Sequence, residues 1–162
     1  MIVRPAVGSD AGPVRDIWNA VIRETLITFN PVEKTHDEVE GLILARTGSV
    51  GGTFVAEESG AVLGFVTYGQ FRSGAGYART MEHTIHLVPG ARGRGVGRAL
   101  MAALESDARA KGVHSLIAGV SSASPESRAF HAALGFSEIA VLPEVGCKWD
   151  RWLDLHLMQK RL

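Results

Sequence analysis

Apolar residues recur along this chain at two spacings, near 3.6 and near 2, and the switching between them outlines the elements. "MIVRPA" alternates as a short first strand. Val14, Ile17, Trp18, Val21 and Ile22 then fall on one helical face, with Asp10 placed to cap it. Thr35 and Glu38 form a capping box for a second helix carrying Val39, Leu42 and Ile43. "TFVAEESGAVLGFVTYGQ" reads as a hairpin turning at Ser59 and Gly60. The glycines and serine of "FRSGAGYAR" make a loop, and "TMEHTIHLV" is a strand that ends at Pro89 and Gly90. "RALMAALESDARAKG" is helical, with Leu100, Met101 and Leu104 on one face and Gly112 as its stop. "HSLIAGV" is a buried strand. Ser124 and Pro125 open a helix in the N-cap and N1 positions, and it runs to Leu134 with Gly135 beyond its end. "FSEIAVL" and "RWLDLHLMQ" close the chain as two strands. The order is strand, two helices, three strands, helix, strand, helix, two strands. It predicts a mixed α/β sheet with helices on its faces.

Composition narrows the class. The 162 residues suit one domain, spanning 1–162, with no repeat, linker or low-complexity run. Hydrophobic residues at 46% and charged residues at 21% are globular proportions. Seventeen basic residues balance seventeen acidic ones, so no overall field favours nucleic acid or an anionic membrane. The single cysteine, Cys147, excludes an internal disulfide and is expected to pack in the fold. "MIVRPAVGSD" lacks the apolar core of a signal peptide, and no run is long enough to span a membrane. The expectation is a soluble, cytoplasmic protein.

One segment breaks the pattern. "VPGARGRGVG", residues 88–97, carries four glycines and two arginines between a strand and a helix. Unpaired N–H groups and the positive end of the helix dipole bind anions there, and glycines let backbone approach a phosphate. A Walker loop would need a Gly-Lys-Ser/Thr ending, which is missing. A dinucleotide fingerprint from Gly93 would need glycine or alanine where Arg98 stands. An Arg-Gly nucleic-acid tract would be longer, and a bare connecting turn is the remaining alternative.

"RGRGVG" resembles the Arg/Gln-x-x-Gly-x-Gly/Ala loop of the GNAT N-acetyltransferases, which holds the pyrophosphate of coenzyme A. "TMEHTIHLVPGARGRGVGRAL", "SRAFHAALGF" and "LPEVGCKWDRWLDLHLMQ" are similar to one branch, the phosphinothricin and methionine sulfoximine acetyltransferases, over nearly the whole chain. The resemblance implies the GNAT acyltransferase fold, α/β with a central sheet of about seven strands. It implies acetyl-CoA as cosubstrate, a small amino-acid acceptor, no metal and a homodimer. The cofactor contacts it implies are Leu87, Val88, Arg92, Gly93, Arg94, Gly95, Val96, Gly97, Arg98, Ser124 and Ser127. Ser124 stands where asparagine is common.

Acetyl transfer to an amine needs a base, a polarised carbonyl and a protonated leaving thiol. Glu82, a carboxylate within a central strand, resembles the family's general base. The Val88 N–H corresponds to the group that polarises the thioester carbonyl. His131 fills the slot where many members carry a proton-donating tyrosine and where this branch has histidine. By the same resemblance the acceptor lies among Phe29, Phe71, Arg72, Tyr77 and Arg79, an arginine holding its carboxylate. Gly74 replaces a second arginine often present, which favours methionine sulfoximine, methionine sulfone or an unrelated amino acid over phosphinothricin. His83 and His86 point to opposite faces of a strand and cannot converge on a metal. Other readings are acetylation of a protein N-terminus or a polyamine, and a non-catalytic coenzyme A sensor.

Overall fold

The computed structural model describes all 162 residues. Seven strands form one sheet: β1 (Ile2–Pro5), β2 (Gly52–Glu58), β3 (Ala61–Gln70), β4 (Thr80–Leu87), β5 (Ser115–Ser121), β6 (Ser137–Lys148) and β7 (Arg151–Arg161). Their order is β1-β2-β3-β4-β5-β7-β6, and only β4 and β5 run parallel. Four helices cover it: α1 (Ala11–Glu24), α2 (His36–Arg46), α3 (Val96–Ala110) and α4 (Pro125–Ala133).

Strand alternation sends side chains into two cores. On one face Val14, Ile17, Trp18 and Ile22 of α1 and Val39 and Ile43 of α2 pack on Val55 and Phe65. On the other, Leu100, Met101 and Leu104 of α3 meet Phe54, Val66, Tyr68, Met81 and Leu116. The expected mixed sheet with helices on both faces is the fold observed, and Thr35 and Glu38 form the expected box: the Glu38 N–H donates to Thr35 Oγ1 and the Thr35 N–H to Glu38 Oε2.

Four local expectations change. Asp10 does not cap α1. Its carboxylate accepts two hydrogen bonds from Arg4, at 2.7 and 2.9 Å, and one from the Val7 N–H. Helix α3 starts at Val96, inside the glycine stretch rather than after it. Strand β6 runs past Pro143 to Lys148, because the register with β7 shifts between Leu142 and Gly146 and an irregularity there tolerates proline. Cys147 is exposed rather than packed, opposite Trp152 across the β6–β7 hairpin.

The parallel pair is incomplete. Thr80, Met81 and Glu82 pair with Ser115, Leu116 and Ile117, and pairing ends there. Beyond Glu82 the two strands part, opening a wedge in the middle of the sheet. No helix is long and apolar enough to cross a membrane.

Candidate active site

Two cavities meet in this wedge. One, of about 420 Å³, is lined by Trp18, Phe29, Lys34, Glu82, His83, His86, Ser121 and His131, among others. The second, of about 570 Å³, runs along the glycine loop. Ile27, Ile85, His86 and Ser127 line both, so the cavities join at the middle of β4.

The second cavity is lined by groups that suit an anion. Gly93 and Gly95 adopt φ of 73° and 82°, left-handed values that side-chain-bearing residues rarely hold. A Cβ on Gly97 would crowd the Phe130 ring at 3.2 Å. The first helical bond of α3 runs from the Ala99 N–H to the Gly95 carbonyl. The N–H groups of Val96, Gly97 and Arg98 therefore have no partner in the helix and sit at its positive end. A diphosphate fits these donors with Arg92 and Arg98 beside them. Ser124 is buried and makes no capping bond through its hydroxyl, and it lines this cavity with Ser127.

Of the predicted cofactor residues, Leu87, Arg92, Gly93, Gly95, Val96, Gly97, Arg98, Ser124 and Ser127 line the cavity. Arg94 turns away and pairs with Glu58 at 2.7 Å. Val88 cannot polarise a carbonyl, because its N–H already donates to the Leu63 carbonyl at 2.9 Å. That bond sets the alternation of β4: the even-numbered N–H groups face β3, and those of Ile85 and Leu87 face the open wedge. The Val88 N–H is therefore engaged, and the β4 N–H groups directed at the wedge beyond Glu82 are those of Ile85 and Leu87.

In the first cavity Glu82 stands alone. Its carboxylate has no hydrogen bond or ion pair within the protein, and it is walled by protein while still open to solvent. Burial raises its pKa above the ordinary glutamate value. Its Oε1 lies 3.1 Å from where a Cβ on Gly119 would stand, so the glycine leaves it room.

His83 and His131 form a buried pair, Nε2 to Nε2 at 3.0 Å. His131 Nδ1 lies 2.7 Å from the Ser127 carbonyl and must donate to it. In the neutral pair His131 Nε2 is then the acceptor and His83 Nε2 the donor. His83 Nδ1 remains buried without a partner. Burial, reinforced by the neighbouring His131, pushes His83 down to about 3, and burial also lowers His131. A proton donor would need a charged His131 with a free Nε2. The structure gives it a neutral ring with both nitrogens occupied, which does not fit the acid role expected of it. His86 lies on the opposite face against Trp18 and Phe65, so the two strand histidines do not converge.

Among the predicted acceptor residues only Phe29 lines the cavity. An added methyl on Gly146 would overlap its ring. Lys148, 2% exposed, donates to the carbonyls of Ile22, Thr25 and Thr28 at 2.5, 2.7 and 3.3 Å and fixes the segment that carries Ile27 and Phe29. Phe71, Arg72, Tyr77 and Arg79 lie on or beside the β3–β4 loop, where β4 is still paired, and line neither cavity of this chain. Phe71 and Tyr77 pack edge to face, with Arg72 over Phe71. Gly74 in that loop has φ of 108°, so an arginine there would strain the backbone. Reading the sequence missed Trp18, taken as core alone, and Lys34 and Ile85, which carry no motif. Their signal is positional and exists only after folding.

A wedge in a seven-stranded sheet, with the free N–H groups of a helix start on one side and an isolated carboxylate on the other, suits a coenzyme A-dependent acyltransferase. Residues 18–136 match the Acetyltransferase (GNAT) family. The chain belongs to that family and is an acetyl-CoA-dependent N-acetyltransferase. It is 35% identical to the L-amino acid N-acyltransferase MnaT of Escherichia coli K12, covering all of this chain and 94% of the relative. It is also 35% identical to the L-methionine sulfoximine/L-methionine sulfone acetyltransferase of Salmonella typhimurium LT2, covering all of this chain and 95% of that protein. The crystal structure of a Sinorhizobium meliloti phosphinothricin acetyltransferase in complex with acetyl-CoA superposes with a TM-score of 0.94 at 33% identity. That match covers 99% of this chain and 88% of the other.

Proposed function

We propose that this protein moves the acetyl group of acetyl-CoA to the α-amine of a small L-amino acid analogue by direct attack, with Glu82 as general base. Methionine sulfoximine, methionine sulfone and phosphinothricin are the acceptors this reading puts first. The observation that carries the reading is Glu82, without a protein partner, in the cavity that joins the anion-binding cavity at Ile85 and His86.

Bound along α3, acetyl-CoA supplies an acetyl thioester. The N–H groups of Ile85 and Leu87 face that position and stabilise charge gathering on the carbonyl oxygen. Glu82 takes one proton from the acceptor ammonium, directly or through water. A free α-amine has a pKa of about 7.7–8.0, so a carboxylate of raised basicity is strong enough. The amine's second proton is left for the departing sulfur, since neutral His131 has none to give. The same reading takes the protein as a homodimer. Exposed Ile139, Val141, Val145, Trp149 and Trp152 on the β6–β7 hairpin support this.

The test is thiol release from acetyl-CoA with methionine sulfoximine, methionine sulfone, phosphinothricin, spermidine and a short peptide as acceptors. Saturable turnover on the first three, lost by about 100-fold or more in Glu82→Gln with acetyl-CoA affinity kept, is expected. Turnover confined to spermidine or peptide would move the acceptor class. An unimpaired Glu82→Gln would remove the base.

A further inference from the structure

The acceptor cavity is lined by one carboxylate, Glu82, and one lysine, Lys34. The three histidines that line it, His83, His86 and His131, are all held below their ordinary pKa by burial, so they are neutral near pH 7. An ammonium that shares a half-enclosed space with a base needs a reason to be there, because a lysine is free to extend into water.

Its placement is enforced from two sides. Asn19 of α1, buried, grips the Lys34 peptide with both ends of its amide: the Lys34 N–H donates to Oδ1 at 2.8 Å and Asn19 Nδ2 donates to the Lys34 carbonyl at 2.9 Å. The connection between α1 and α2 is thereby tied to the helix that forms the cavity wall. The side chain then lies over the indole of Trp18, with Nζ 4.5 Å from the ring centroid. A cation–π contact orients an ammonium without neutralising it. No carboxylate pairs with Nζ. Glu38, which feels the Lys34 charge, is engaged with the Thr35 N–H in the capping box.

We infer that Lys34 is the acceptor's carboxylate anchor and the residue that makes the site select α-amino acids over simple amines. The assignment rests on the reading of the protein as an amino-acid acetyltransferase. A zwitterion suits the cavity, with its ammonium towards Glu82 and its carboxylate towards Lys34. Simple amines have nothing for Lys34 to hold, and polyamines meet its charge with their own. The role that the sequence assigned to an arginine of the β3–β4 loop thus falls, within this chain, to a lysine before α2.

The experiment compares wild type, Lys34→Met and Lys34→Arg on methionine sulfone and on the matching amine without its carboxylate, 3-(methylsulfonyl)propylamine. Acetyl-CoA binding and thermal melting serve as folding controls. A charge-assisted hydrogen bond to a carboxylate predicts a loss of about tenfold to 100-fold in kcat/KM on methionine sulfone in Lys34→Met. The loss falls mainly in KM, and Lys34→Arg recovers part of it. On the amine, Lys34→Met equals or exceeds wild type. Equal losses on both acceptors, or none on either, overturn the assignment while wild-type turnover on methionine sulfone stands. If wild type acetylates no α-amino acid at all, the functional reading and this assignment fall together.

Discussion

Lys148 offers the sharpest test of how this fold holds its acceptor site. It is 2% exposed, has no carboxylate partner, and donates to three carbonyls at and beyond the end of α1. A cation at a helix C-terminus is favoured by the dipole as well as by the hydrogen bonds. Lys148→Met keeps the length and apolar stem but removes the ammonium. The two short bonds, to Ile22 and Thr25, are each of a kind that contributes about 1.5–3 kcal/mol, and the 3.3 Å bond to Thr28 adds little. Relief of the lysine's own desolvation offsets part of this, leaving a destabilisation of about 3 kcal/mol. At this chain length each kcal/mol lowers Tm by about 2–4 °C, so the melt should shift down by about 6–12 °C. Loosening residues 25–29 also frees Phe29 from its seat on Gly146, so the acceptor KM should rise by more than the acetyl-CoA Kd. Thermal melting and two-substrate kinetics read both. A Tm within about 3 °C of wild type, together with an unchanged acceptor KM, would refute the reasoning.

Two further outcomes follow from the same geometry. Arg98→Ala should weaken acetyl-CoA binding by about tenfold, whereas Arg94→Ala, whose guanidinium pairs with Glu58 at the surface, should change it by no more than about twofold. Isothermal titration distinguishes them, and equal losses would return Arg94 to the loop's phosphate contacts. The buried histidines should make the fold acid-sensitive. His83 is pushed down to about 3 and His86 to about 4, the first by burial and its histidine neighbour, the second by burial and Arg92. Each titrates near 6.5 when unfolded, so below that pH the unfolded chain binds more protons and stability falls towards pH 4 and 3. Equilibrium denaturation should show a loss of roughly 2 kcal/mol between about pH 7 and about pH 5.5, and a flat profile would contradict the desolvation of His83 and His86.

The sequence by itself determined the elements and one half of the site. Periodicity and capping signals gave the order and type of the helices and strands, though not the start of α3 or the end of β6, since a 3.6-residue or two-residue repeat is a local property that burial on one face imposes. The anion-binding loop was equally legible, because left-handed glycines and a helix start are encoded in consecutive residues. Glu82 was visible as a carboxylate where a strand interior disfavours one. Only the tertiary structure decided the rest. The end of β4–β5 pairing at Glu82 is a matter of register, and it set which N–H groups of β4 are free: that of Val88 is engaged by Leu63, while those of Ile85 and Leu87 face the wedge. The tautomers of His83 and His131 depend on a contact across 48 positions, and the seat of Phe29 depends on Gly146 and Lys148, over 100 positions away. Lys34 became a candidate anchor only when Asn19 and Trp18 brought its charge into the cavity. Local patterns specify elements because short-range sterics and burial act within them. A pocket is a set of distances between elements, and those arise only when the elements pack.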